Sequence, residues 1–233
     1  MTRRNNSSDP SGQKASPKIA MFDMDHTLIN NDCDVSWKRF LVDKGLAPPD
    51  ALGKADEYYE QYKRGELDLR EFTAFQLAEF VNRTPEEMEQ LAVEHCDSMV
   101  RPRIYKDAQS EVEGFAGSDW ITAICTSTND VVAAPVAELF GIKNIIATNL
   151  EVDRGLFTGR INGRYCGGEG KVARATEFCR CHEADLSAVS YYGDSVADMP
   201  LLSAVGKAIA VNPAPGLRHL AEQHGWPIRA FRN

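Results

Sequence analysis

Residues 18–27 read Lys18-Ile19-Ala20-Met21-Phe22-Asp23-Met24-Asp25-His26-Thr27, and the apolar run inside them stops at Asp23. A short apolar run between polar residues suits a strand buried on both faces of a parallel sheet. Three later runs repeat the pattern: residues 120–126 (WITAICT), 186–192 (LSAVSYY, followed by Gly193-Asp194) and 208–211 (AIAV). Helical spacing lies between them. Residues 131–140 carry apolar side chains at helical intervals and end before Gly141, a natural helix stop, and residues 171–181 read as another helix. The alternation predicts an α/β core, a Rossmann-like doubly wound parallel sheet with helices on both faces.

Residues 34–100 break the alternation. They are charged, rich in Glu, Lys, Tyr and Leu, and helical in period without strand signals. Residues 51–63, 68–81 and 84–99 are three predicted helices. The last opens with Thr84-Pro85-Glu86-Glu87, an N-cap, a proline in the first turn and a capping-box glutamate. The expected layout is a core of residues 17–33 and 101–233, with an all-helical insertion of residues 34–100 after the first strand. Residues 1–16, polar and rich in Ser, Asn and Pro, are predicted to be a disordered tail.

Composition narrows the function. A chain of 233 residues allows one sizeable domain, or a core plus an insertion, at about 100–200 residues per domain. With 26 Lys and Arg against 34 Asp and Glu, the net charge is −8, which argues against nucleic acid as a partner. No apolar run approaches the roughly 18 residues of a membrane span. The basic start has no apolar stretch behind it, so it does not read as a secretory signal. Six scattered cysteines read as reduced thiols, and the expected location is cytoplasmic. Monomer and homodimer are both compatible with the sequence.

Two acidic constellations follow predicted strands. In extended backbone, residues two apart point the same way, so Asp23 and Asp25 can face one pocket at the strand end. Alone, the pair also reads as a solvated acidic turn. It is not an EF-hand, whose loop would need glycine where Leu28 stands and glutamate where Asp34 stands. The second is Gly193-Asp194-Ser195-Val196-Ala197-Asp198, in which one helical turn brings Asp194 and Asp198 to one side. Four carboxylates at the ends of two buried strands call for a cation, and Mg²⁺ suits all-oxygen ligation.

Two further motifs carry polar groups. Thr126, Ser127, Thr128 and Asn129 form an anion cradle at a strand-to-helix turn, or simply a helix N-cap. Lys171 follows Gly167-Gly168-Glu169-Gly170. It imitates a phosphate loop, but Tyr165 replaces the earlier glycine and Val172 the hydroxyl residue, leaving a point charge or an exposed lysine. Cys179-Arg180-Cys181-His182 lacks a second ligand pair and reads as a helix end. Tyr58, Tyr59 and Tyr62 read as helix-packing aromatics, and His95, His219 and His224 as isolated histidines.

Taken jointly and in order, these pieces resemble the haloacid dehalogenase-like phosphatases. DMDHT looks like that family's D-x-D-x-T, Thr126 its second-motif hydroxyl, Lys171 its third-motif lysine and GDSVADMP its acidic fourth motif. The resemblance covers the chain from Lys18 onward. DMDHTL, Thr126-Ser127-Thr128-Asn129 and Asn212-Pro213-Ala214-Pro215-Gly216-Leu217 are most similar to the bacterial phosphoserine-phosphatase-like branch, whose members are labelled phosphoserine or histidinol-phosphate phosphatases.

The resemblance implies a helical cap and a Mg²⁺-dependent phosphomonoesterase. It implies Asp23 as nucleophile, forming an aspartyl-phosphate, and Asp25 as general acid and base. It implies a metal site of Asp23, the Asp25 carbonyl, Asp194 and Asp198, with Thr126 and Lys171 on the phosphoryl oxygens. Asp32, nine residues after the nucleophile, matches the acidic residue that reads a substrate amine. Gln76 falls near the cap arginine that reads a carboxylate, and Arg70 is a second candidate for that role. Ser127 and Thr128 are further substrate-binding candidates. The expected partner is therefore a small phosphate monoester, amine-bearing, such as histidinol phosphate or phosphoserine. A phosphotransferase sharing these residues, and a non-catalytic binder of phosphorylated metabolites, are the alternatives.

Overall fold

The computed structural model describes residues 17–233; the tail expected to be disordered lies outside the described residues. In chain order the strands are β1 (Lys18–Phe22), β2 (Trp120–Asn129), β3 (Asn144–Thr148), β4 (Leu150–Asp153), β5 (Leu156–Ile161), β6 (Val189–Gly193), β7 (Lys207–Val211) and β8 (Ile228–Arg229). Six of them form one parallel sheet in the order β3-β2-β1-β6-β7-β8. The chain winds outward from β1 through β2 to β3, then returns to β1's other side and winds outward again. This is the doubly wound α/β topology expected, with its switch point between β1 and β6. Ligands of such sheets bind at the carboxyl ends of the strands that flank the switch point.

The helices are α1 (Cys33–Asp43), α2 (Ala51–Arg64), α3 (Leu69–Gln76), α4 (Pro85–His95), α5 (Lys106–Glu113), α6 (Asp130–Leu139), α7 (Glu169–Cys181), α8 (Met199–Ala204) and α9 (Pro215–His224). Strand alternation divides the core into two layers. Ala20 and Phe22 face a cluster with Trp37, Phe40, Met88, Val112, Val132 and Val136, which draws in α1, α4, α5 and α6. Ile19 and Met21 face Ala175, Cys179, Leu201, Leu217 and Ala221, from α7, α8 and α9. Burying each large aliphatic or aromatic side chain is worth about 1.5–3 kcal/mol, so both layers hold the switch point rigid.

The helical segment after β1 holds α1 to α4. Thr84 caps α4 as expected: its hydroxyl accepts from Glu87 N–H at 3.2 Å, and the Glu87 carboxylate accepts from Thr84 N–H at 3.0 Å. The predicted 84–99 helix ends sooner, at His95, and passes into a π turn over Cys96–Val100. The 68–81 helix is likewise divided, into α3 and a 3-10 turn at Ala78–Phe80. The expected boundary after residue 33 falls inside α1, which shares its apolar cluster with the sheet.

Two strand readings need correction. Residues 186–188 form a 3-10 turn because Asp185 accepts from Ser187 N–H at 2.8 Å, so β6 starts at Val189. The β2 strand runs three residues past Thr126, to Asn129. The β4–β5 hairpin, which no apolar run announces, leaves the sheet to meet the helical segment. Asn82 and Arg83 exchange backbone hydrogen bonds with Phe157, and Phe80 packs edge-on against the Phe157 ring.

Candidate active site

Asp23 follows β1 and Asp194 follows β6, so the adjacent strands deliver both carboxylates to one place. Asp23 N–H donates to the Tyr192 carbonyl at 2.8 Å, which locks the two strand ends together. Asp198 joins them from the turn after β6. Its approach requires Gly193: a Cβ there would lie 2.8 Å from the Asp198 carboxyl carbon. Carboxylate oxygens of Asp23, Asp194 and Asp198 all lie within 4.8 Å of one another.

Lys171 crosses this cluster from the first turn of α7. Its ammonium donates to Asp23 Oδ1 at 2.5 Å, to Asp198 Oδ1 at 2.6 Å and to the Tyr191 hydroxyl at 3.1 Å. Tyr191 in turn donates to Asp198 Oδ1 at 2.6 Å. Lys171 is 4% exposed, not the solvated lysine that its position alone would give. Gly170 makes this possible, since a Cβ there would meet the Tyr165 carbonyl oxygen at 2.0 Å. Asp198 Oδ2 accepts from the N–H groups of Asp194 and Ser195 at 3.2 and 3.3 Å.

The charges are unbalanced. Burial, and then the Asp198 charge, push the Asp23 carboxyl up to about 7 despite Lys171. Burial, Asp23 and Asp198 hold Asp194 well above the usual carboxylate range. Burial disfavours the Lys171 cation, but Asp198 and Asp23 outweigh it and hold the ammonium charged. One lysine among three converging carboxylates leaves an excess of negative charge, and the donors are all oxygens. The residues present therefore fit a hard divalent cation.

Asp25 sits beside the triad and is held differently. Its Oδ1 accepts from Cys33 N–H at 2.9 Å, at the start of α1, and its Oδ2 from the Thr128 hydroxyl at 2.8 Å. Burial, then the charges of Asp32, Asp23 and Asp34, raise its carboxyl well above the ordinary value, which suits a proton donor. The next residue, His26, has a left-handed backbone (φ 57°), and its Nε2 lies 3.5 Å from the Tyr59 hydroxyl on α2. Such backbone at a non-glycine costs of order 1–3 kcal/mol and clusters at functional sites.

A narrow cleft opens over these groups, between the strand ends and α1 to α3. Asp23, Asp25, Lys171, Asp194 and Ser127 line its floor; Asp32, Asp34, Tyr58, Tyr59, Phe72 and Gln76 line its far wall. Three expectations are revised. Arg70 is exposed in the first turn of α3, after its Asp68 cap, and does not line the cleft. Thr126 is buried, with its hydroxyl accepting from Thr128 N–H at 3.2 Å, while Ser127 faces the cleft. Thr128 bonds Asp25 rather than lining the cleft, and Asn129 is the N-cap of α6. The register between β2 and β3 shifts between Cys125 and Asn129, the stretch that holds Ser127.

Tyr58 and Tyr59, read as packing aromatics, line the cleft, although Tyr58 also packs on Phe72 and Phe75. Helical spacing cannot say which neighbour a face meets. Tyr165 is a further lining residue that carried no signal beyond its place before the glycines. Cys181 ends α7 and His182 caps it, bonding the Phe178 carbonyl, as the helix-end reading expects.

A haloacid dehalogenase-like hydrolase family model matches residues 20–203, which include all four motifs. The chain belongs to this family. A histidinol-phosphatase of Neisseria meningitidis is 33% identical over 92% of this chain and 99% of its own length. A phosphoserine phosphatase of Mycobacterium tuberculosis is 29% identical over 91% of this chain and 70% of its own. Among solved structures, a Bordetella pertussis protein of unknown function superposes with a TM-score of 0.85 at 36% identity, over 92% of this chain and 99% of that one. A substrate-bound phosphoserine phosphatase shares the fold, with a TM-score of 0.67 at 16% identity, over 93% of this chain and 94% of that one. The haloacid dehalogenase-like core thus carries a phosphatase. Among the described residues no helix is long and apolar enough to cross a membrane.

Proposed function

We propose that this phosphatase hydrolyses a small phosphate monoester that carries a cationic amine and no carboxylate, with histidinol phosphate as the leading case. The far wall of the cleft carries the argument. It presents Asp32 and Asp34 with Tyr58, Tyr59 and Phe72, and no arginine lines the cleft among the described residues. Paired carboxylates and aromatic faces favour a cation. A substrate carboxylate would meet Asp32 and Asp34 with no free lysine or arginine among the lining residues to offset it, since the one lining lysine is held by Asp23 and Asp198. The name of the Neisseria relative supports this reading. A reducing, cytoplasmic setting suits its six free thiols.

The chemistry follows from the residues. Asp23 Oδ attacks phosphorus and the ester oxygen leaves, giving an aspartyl-phosphate. Asp25, protonated and aimed by Cys33 N–H and Thr128, delivers its proton to the departing alkoxide. The same carboxylate then takes a proton from the water that cleaves the acyl-phosphate. Lys171 offsets charge on the phosphoryl oxygens and keeps Asp23 oriented. Asp23, Asp194 and Asp198 would hold Mg²⁺, with the Asp25 carbonyl, and the ion would supply electrostatic stabilisation of the transferring group. Residues 34–100 would act as the cap that selects the alcohol.

The experiment is phosphate release from histidinol phosphate, phosphoserine, glycerol phosphate and p-nitrophenyl phosphate, with Mg²⁺ or EDTA, beside Asp23→Asn. Mg²⁺-dependent turnover with the highest kcat/KM on histidinol phosphate, lost in Asp23→Asn, is expected. Preference for phosphoserine, or for glycerol phosphate, would overturn the substrate reading.

A further inference from the structure

Lys38 is a buried cation that the chemistry above does not use. It lies on α1 and is fully buried. Its ammonium donates to the Phe75 carbonyl at 2.8 Å, pairs with the Glu79 carboxylate and stands 4.2 Å from the Phe75 ring centroid. A buried ion pair is a poor source of net stability, because desolvation offsets the attraction; its best-attested use is to fix one register. Here the register fixed is that of α3 and the turn after it. Phe75 precedes Gln76, and Glu79 follows it by three residues.

Gln76 is the last residue of α3, lines the cleft and is 6% exposed. Among the described residues its Oε1 has no hydrogen-bond partner. A buried acceptor left unpaired is costly, and is tolerated where a ligand completes it. Asp34, one turn before Lys38 on α1, lines the same cleft. Lys38 therefore ties together two helices of the far wall, α1 bearing Asp34 and α3 bearing Gln76.

We propose that Lys38 is a positioning residue for substrate selectivity: by gripping the Phe75 carbonyl and Glu79, it holds Gln76 Oε1 to accept from a second donor on the substrate, at a set distance from Asp32 and Asp34. This rests on the reading of the cleft as a site for amine-bearing esters. It narrows that class to esters with a further N–H or O–H beyond the amine.

The test compares wild type, Lys38→Met, Glu79→Gln, Gln76→Leu and the double variant Lys38→Met/Gln76→Leu. The readout is kcat and KM on histidinol phosphate and on p-nitrophenyl phosphate, with thermal melts as folding controls. Lys38→Met and Glu79→Gln are each expected to raise KM for histidinol phosphate about tenfold, leaving kcat on p-nitrophenyl phosphate within about twofold. In the Gln76→Leu background Lys38→Met should add nothing, because the two act through one contact. Should Lys38→Met not fold, Glu79→Gln, which keeps the lysine and the shape of its partner, carries the test. An unchanged KM, or a Lys38 effect that adds in full to that of Gln76→Leu, overturns the proposal. A wild type that prefers another ester overturns only the amine reading, and the same comparison is then made on the preferred ester.

Discussion

The Thr128 hydroxyl donates to Asp25 Oδ2 at 2.8 Å, across 103 residues of sequence. It makes β2 the orienter of a carboxylate delivered by β1. The residue before it faces the cleft, so one strand end serves both the phosphate floor and the acid–base group.

Thr128→Val should therefore lower kcat about 10- to 100-fold with little change in KM, since the Asp25 carboxylate left once its proton is delivered would lose a hydrogen bond worth roughly 1.5–3 kcal/mol. Steady-state kinetics decide it. A rise in KM at constant kcat would place Thr128 on the substrate instead.

Two of the converging carboxylates, Asp194 and Asp198, should respond with opposite signs in metal-free protein. Asp194 is held above its ordinary range, so it costs stability that grows as the pH rises above the ordinary carboxylate value. Asp194→Asn should raise the melting temperature in EDTA at pH 8 and remove the further rise that Mg²⁺ gives wild type. Asp198→Ala should lower it by several degrees, because Lys171 and Tyr191 both lose a buried partner at 2.6 Å.

His95 supplies a pH-dependent term. It is fully buried, its Nε2 lies 2.8 Å from Ser36 Oγ, and burial lowers its value to about 4 from an ordinary 6.5. The unfolded chain then binds the proton more readily, so stability is intact above about pH 6.5 and drains away as the pH falls toward 4. The full effect is about 3 kcal/mol. Urea unfolding of His95→Gln should show a flatter pH slope across that window, and an unchanged slope would remove His95 from the account.

Asp34 should set the pH dependence of substrate binding. Burial and the neighbouring Asp32 push it up to about 7, while Lys38 pulls it down. His26 and Tyr165 also border it in the cleft. An ionised Asp34 attracts a cationic amine, so KM for histidinol phosphate should fall as the pH rises through about 7. The KM for p-nitrophenyl phosphate, which has no amine, should lack that fall. In Asp34→Asn both esters should show the same pH profile.

The parts of the site that follow β1 and β6 were legible because short apolar runs end abruptly in Asp23 and Gly193. Lys171 was legible only as part of an ordered set, since nothing local distinguishes it from a solvated helix start. The wall of the cleft was harder to read. Tyr58 and Tyr59 obey helical spacing, and spacing leaves open which helical face meets the cleft. Arg70 fails for the converse reason: its side chain type fits, but it is exposed in the first turn of α3, and helical spacing does not tell that turn's face from the lining one. The β4–β5 hairpin had a local signal, Asp153-Arg154-Gly155, where Arg154 and Gly155 both take positive φ (50° and 81°), as tight hairpin turns require. β3 carries a run of only three apolar residues, Ile145 to Ala147, shorter than the runs of β1 and β7.

The strand order also shapes how the chain comes to fold. β1 lies inside the sheet, with Lys18 paired to Trp120 on one side and Ile19 paired to Val189 on the other. During synthesis the first strand emerges early, yet half of its backbone edge waits until residues 189–193 have left the ribosome. Until then an apolar edge stands open to other nascent chains, and the long-range closure is slow by its topology. A product cut short before Val189 would lack β6, Asp194 and Asp198 together, and so would be aggregation-prone and inactive for the same reason.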